Sequence, residues 1–200
     1  MSEVKTNKIS PATGTAFTLG DSGDTFTVPS GANIVNSGTA TGFGGGKVLQ
    51  IQTALTSTYA STTASVSFDD SIFQNTEGAE LVTLSFTPLS TGSKLLFIFG
   101  GHFNMGTGSS IVNPLPIALF VDTTADAFAT GTATVDGGGT RCMSIWTFHL
   151  EANASTSART YKMRWSEGEG SGTAYVNGDT SARKFGGKLA SGFYVIEFEN

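Results

Sequence analysis

Lys47-Val48-Leu49-Gln50-Ile51-Gln52 alternates with a period of two, the pattern of a strand with one buried and one wet face. It stands directly after Gly44-Gly45-Gly46, and the chain obeys different rules on the two sides of that glycine run. Downstream, strands follow one another at 66–68, 81–86, 94–99, 115–121, 141–150, 158–165, 173–176 and 192–198. Turn signals such as Asp136-Gly137 and Asn177-Gly178 separate them. Lys94-Leu95-Leu96-Phe97-Ile98-Phe99 is apolar on both faces, which predicts a central strand. The closing run Phe193-Tyr194-Val195-Ile196-Glu197-Phe198 is too apolar to dangle and must lie inside a sheet. Eight or nine such strands predict a jelly-roll-like β-sandwich head over residues 47–200. No helix is evident beyond one turn near Asp69-Asp70-Ser71-Ile72-Phe73-Gln74, with Asp70 or Ser71 as its cap.

Upstream of the glycines the hydrophobic beats are shorter. Thr15-Ala16-Phe17-Thr18-Leu19 and Asp24-Thr25-Phe26-Thr27-Val28 sit between turn signals and leave about five residues per strand. Rungs this thin cannot bury a face within one chain. Stacked on copies from neighbouring chains, Phe17, Leu19, Phe26, Val28, Ile34 and Val35 would fill a shared trimeric stem. Residues 1–46 are therefore read as an arm ordered by partners.

Composition supports an all-β reading: charged residues are only 14% of the 200, against 26 glycines and 15 phenylalanines. The net charge of −5, with 11 scattered Lys and Arg, argues against nucleic acid as a partner, because phosphate recognition needs clustered cations. Cys142 is the single cysteine, so no intrachain disulfide forms, and its setting in a strand predicts a packed small side chain. Neither an apolar leader nor a run long enough to span a membrane is present, which predicts a soluble product of the cytosol with no membrane insertion.

Chemistry-bearing patterns are sparse. His102 and His149 lie 47 positions apart, with no metal-ligand spacing, and no metal or cofactor is expected. Asp21-Ser22-Gly23-Asp24 opens like a calcium loop but has Ala32 where the distal bidentate Glu belongs, so it reads as a turn. The pairs Asp69-Asp70 and Glu167/Glu169 read as solvated loop carboxylates, not the facing acids of a glycosidase. Neither a nucleophile elbow nor a phosphate loop occurs, and an enzyme is not expected. Trp146, Phe148, Tyr161, Trp165, Phe97 and Phe99 sit in strands and are assigned to the core. The receptor-contact candidates are instead loop residues: Phe103, Asn104, Met105 and Asn113 in a loop at 103–114, Asp136 in one at 125–139, and Glu167 and Glu169 in one at 167–171.

The stretch from Thr6-Asn7-Lys8 through Gly20-Asp21-Ser22-Gly23-Asp24-Thr25-Phe26, with Asn36-Ser37-Gly38-Thr39-Ala40-Thr41-Gly42-Phe43-Gly44, resembles the opening of tail-fibre-like virion proteins of marine bacteriophages. Tyr161-Lys162-Met163-Arg164 and Gly172-Thr173-Ala174-Tyr175-Val176-Asn177 are similar to the β-sandwich heads of those proteins. The resemblance implies a homotrimer made in the host cytoplasm and carried in the virion. Its N-terminus would attach to other tail or capsid proteins, and its head would bind a bacterial surface glycan or protein. Only some 30 residues separate arm from head, which points to a short fibre or tail-tip knob; a capsid decoration or connector is the alternative.

Two shortened chains test the division. Residues 47–200 alone should melt cooperatively by circular dichroism, and residues 1–46 alone should show no transition; removal of the closing strand after Gly192 should abolish the melt.

Overall fold

Strand formation follows the alternation, and the structure, a computed structural model, is all-β. It describes residues 11, 13–16, 18, 20–33, 35, 47–106, 113–135, 142–168 and 172–199, with Asn113 and Val135 known by backbone alone. The chain divides into two units, Met1–Phe43 and Gly44–Asn200.

In the second unit the long strands are β1 (Val48–Thr56), β4 (Ala79–Phe86), β5 (Lys94–Met105), β6 (Asn113–Val121), β7 (Ala129–Val135), β8 (Met143–Ala152), β9 (Arg159–Trp165) and β12 (Ser191–Phe198). Four short ones, β2 (Ala60–Thr62), β3 (Ser65–Val66), β10 (Glu167–Gly168) and β11 (Ala174–Val176), fill the connections. One sheet runs β1-β12-β5 with β8 against the far side of β5, and β11 and β2 extend it past the end of β12. The other runs β4-β9-β6-β7. Counting only the long strands, these orders are first-eighth-third-sixth and second-seventh-fourth-fifth. That is the double Greek key of a jelly roll.

The core lies between the sheets. Phe97, Phe99, Phe103, Phe193 and Val195 from one meet Leu115, Ile117, Tyr161, Met163 and Trp165 from the other, all of them buried. Tyr161 sits 4.8 Å from Phe97 and 6.2 Å from Phe86, ring centre to ring centre, and burial pushes its hydroxyl up to about 12. β12 pairs with β1 along one edge and β5 along the other, so the closing strand is internal as its apolar text requires.

Two sequence expectations in this unit are corrected. The span 125–139 contains a strand, β7, whose inward residues Ala129, Gly131 and Ala133 are small because β8 packs close above them; a Cβ on Gly131 would come within 2.7 Å of Thr147 Cγ2. Small inward residues gave no hydrophobic signal. The expected helical turn after Asp69 is a bend, because the Asp69 carboxylate takes the Ser71 amide (2.7 Å) and hydroxyl. Those bonds hold its pKa below the usual carboxylate range.

In the first unit no described residue is in a strand. The Asp24 amide donates to the Asp21 carbonyl (3.0 Å) and the Asp21 amide to Asp24 Oδ2 (2.8 Å), closing the turn that replaces a calcium loop. Phe26, Val28 and Val35 are exposed, so in a single chain they fill no interior; Phe17, Leu19 and Ile34 lie outside the described residues. Among the described residues of this unit the Thr-rich beats are turns and extended chain.

One buried carboxylate ties the head together. Glu197 of β12 accepts from the amides of Leu89 (2.8 Å) and Ser90 (3.0 Å), from Ser93 Oγ (2.7 Å) and from Gln50 Nε2 (2.7 Å). Burial pushes its pKa up, but the bonds from Gln50, Ser93, Leu89 and Ser90 outweigh this and hold it below the ordinary value. With the folded pKa depressed, the stabilisation is present above the unfolded value of about 4.3 and is lost as pH falls through the folded one. Glu197→Gln should therefore cost about 2 kcal/mol at pH 7. In melts repeated at falling pH, the gap between the variant and the unaltered chain should close below about pH 4.

Candidate functional site

The described flanks of the three loops named from sequence lie at one pole of the sandwich. Met105 at the end of β5 pairs with Ala174, Phe103 with Met143, and Asn113 with Val135. The Gly106 amide donates to the Thr173 carbonyl (2.8 Å). The flanks of the β5–β6, β7–β8 and β10–β11 connections are therefore held together by main-chain pairing.

Individual candidates fare differently. Phe103, Asn104 and Met105 are not loop residues: β5 continues through them, and all three are buried, Phe103 with its ring 5.7 Å from that of Trp165. Glu167 is not solvated either. It forms β10 against β3, its amide donates to the Ala64 carbonyl (3.1 Å), and it is buried. Four of the seven named residues thus cannot touch a receptor. Asn113 begins β6, and Asp136 and Glu169 lie outside the described residues.

His102 and His149 point to opposite faces of the same sheet. His102 Nδ1 bonds Ser144 Oγ at 2.7 Å on the outer side, while His149 is turned inward with its ring 5.4 Å from that of Phe128. They do not converge on a common ligand position. Cys142 is half-buried, and burial, with the Asp179 charge adding to it, raises its thiol pKa, which works against a reactive thiolate.

The outer faces of the two sheets have opposite character. On β4-β9-β6-β7 the outward side chains include Thr130, Thr132 and Thr134 of β7 and the cations Lys162 and Arg164 of β9, each about 4 Å from Glu80 of β4. Exposed pairs of this length hold little energy. Arg164 is fixed instead by donating Nε to the Glu77 carbonyl (2.7 Å) and Nη2 to that of Gly78 (2.8 Å). Beside it lies a shallow cavity of about 240 Å³ lined by Asn75, Phe120, Asp122, Thr123, Lys162 and Arg164. This face is wet over β4, β9 and β7, while Ala118 and Phe120 of β6 are covered by Val66 and Phe73.

On β1-β12-β5-β8 the outward face is apolar across all four strands. Cross-strand register lines up Ile51, Ile196, Leu96 and Leu150 in one row and Thr53, Tyr194, Ile98 and Phe148 in the next. Phe148 is 75% exposed, Ile51 58%, Leu150 50% and Trp146 41%. In the third row the middle positions are Gly100 and Gly192. Both have positive φ (155° and 145°), and a Cβ there would strike the carbonyls of Ile145 and Ala54 at 1.9 and 2.0 Å. With no side chain between them, Trp146 and Tyr194 approach to 6.4 Å. Assigning Trp146 and Phe148 to the core is thereby corrected: β8 alternates, and its inward partners are Ile145, Thr147 and His149. Period-two alternation revealed that these rings share one face but could not say which face turned inward.

No protein-family model matches this chain, and neither does any curated protein. Among solved structures it is similar to the CBM22-1 xylan-binding domain of Xyn10C from Paenibacillus barcinonensis, at 13% identity over 78% of this chain and 87% of that one, with a TM-score of 0.37. At that distance the likeness has no bearing on ligand or partner.

Proposed function

We propose that this chain is a bacteriophage virion fibre protein, anchored to tail or capsid proteins through residues 1–46 and meeting the host surface with its sandwich head. It works as a homotrimer, binds a surface glycan or protein, and performs no chemical step. The observation that supports this most directly is the contrast between the sandwich faces. A free monomer would wet both, whereas a subunit of an assembly keeps one polar and surrenders the other. The resemblance of the arm text to virion proteins gives the assembly its setting. Within the head, the pole that the three connections leave and re-enter is the receptor end, since connections carried by a paired double sheet are where binding residues concentrate.

The apolar face also fits a second reading, a capsid decoration or connector protein that packs on a neighbour and recognises no receptor. Imaging of virions labelled with an antibody to the head separates the two. Label at the tail is expected; a regular array over the capsid supports decoration, and virions without label would refute both. For the receptor end, replacing 107–112 and 169–171 with Gly-Ser linkers should lower adsorption severalfold while leaving the melt unchanged. Unaltered adsorption would remove the pole from the binding site.

A further inference from the structure

The apolar outer face of β1-β12-β5-β8 has a definite chemistry. Its outward positions are Val48, Ile51, Thr53 and Leu55 on β1, Tyr194, Ile196 and Phe198 on β12, Leu96 and Ile98 on β5, and Trp146, Phe148 and Leu150 on β8. Lys94, at one end of β5, is the single charged residue among the outward positions of these four strands. The other polar groups are Thr53, the Tyr194 hydroxyl, the Trp146 indole N–H, and the pair Ser144 and His102, which already bond each other.

That chemistry selects among occupants. A glycan needs many donors and acceptors for its hydroxyls, and between Lys94 and the Ser144–His102 end this face offers only those of Thr53, Tyr194 and Trp146 among aliphatic and phenyl side chains. An anionic membrane needs a basic rim, and one lysine on a chain of net charge −5 does not make one. A second copy of the same chain meets both conditions. The negative charge that would otherwise hold copies apart is absent from these outward positions, and each copy offers the other a flat apolar partner.

The area is sufficient. Val48, Ile51, Leu55, Trp146, Phe148 and Leu150 together leave on the order of 600 Å² of apolar surface in water, the upper end for the largest patch on a monomer. Contributed by two copies, roughly 1,200 Å² reaches the lower bound of a specific, stable interface, before the half-buried Leu96, Ile98, Tyr194, Ile196 and Phe198 and the rim are added.

We infer that this face is the contact between copies of the chain, with Phe148, its most exposed side chain, in the middle row on β8. The inference rests on the homo-oligomeric part of the proposed function but not on the virion setting, and it places the contact on the head as well as the arm. The chain carries its own probe, because of its two tryptophans Trp146 is on the face and Trp165 is buried in the core.

The experiment uses the full chain in two measurements: light-scattering mass over a dilution series, and acrylamide quenching of tryptophan fluorescence, with Trp146→Phe to isolate the Trp165 signal. The expected result is a mass that is a multiple of 20.7 kDa, with Trp146 protected from quencher. Phe148→Glu should then raise the quenching of Trp146 severalfold while keeping the β-sheet spectrum. A monomer at all concentrations would overturn the inference. An oligomer whose Trp146 quenches freely would overturn it too while leaving an arm-built trimer standing. Protection of Trp146 in a monomer, gained only on adding soluble polysaccharide, would assign the face to a glycan instead. The quenching of the unaltered chain decides the matter even if Phe148→Glu fails to fold.

Discussion

The head depends on where its last strand goes. β12 lies between β1, the first strand after the glycine run, and β5, the longest strand, so the two ends of a domain of more than 150 residues are joined by main-chain hydrogen bonds. Such a closure is non-local and forms at an entropic cost that local turns do not meet. Glu197 then fixes the strand laterally. Its carboxylate reaches out of the sheet to the connection between β4 and β5, and through Gln50 to β1, so one side chain holds three elements in register. A charge in that position is tolerated because four donors surround it.

From this closure the two faces follow. Placing β12 and β5 side by side puts two strands that are apolar on both sides at the centre of one sheet. The inner rows Phe97, Phe99, Phe193 and Val195 complete the core against β9 and β6, and the outer rows stay partly or largely exposed among the described residues. The opposite sheet has less to cover: Ala118 and Phe120 of β6 face outward, and Val66 and Phe73 of the same unit close over them. Its other strands carry Thr, Lys and Arg outward, the ordinary solution for an antiparallel sheet with one wet side. The difference between the faces is thus a consequence of which strands the topology makes central.

Much of this was legible in the text. The closing strand, the strands at 81–86, 94–99, 115–121 and 158–165 and the turn at Asp21–Asp24 each carried a local signal that packing left in place. β7 was hidden because close contact with β8 required Ala, Gly and Ala where a hydrophobic period would otherwise have shown. Phe103, Asn104 and Met105 were misread for a related reason. Gly100-Gly101 interrupts the apolar run at 94–99, yet the strand passes through it, and the glycines let β8 and Ser191 of β12 approach. Glu167 was misread because a Gly-flanked carboxylate resembles a surface turn, whereas it pairs in β10 against β3 and is buried.

One expectation from sequence acquires a different meaning in the structure. Lys94-Leu95-Leu96-Phe97-Ile98-Phe99 was read as central because it is apolar on both faces, the text of a strand covered from above and below. It is central in its sheet, and one of its faces is covered by the second sheet. Leu96 and Ile98, however, open onto a surface shared with Phe148, Leu150, Tyr194 and Ile196. The same two-faced pattern recurs at β12, and on β8 the exposed rings are outward although the inward positions include Thr and His. Adjacent strands in register therefore agree in presenting one continuous apolar surface, aligned row by row across four strands. Hydrophobic pattern records each apolar surface that a fold builds, and here it records one more than the core between the two sheets takes up.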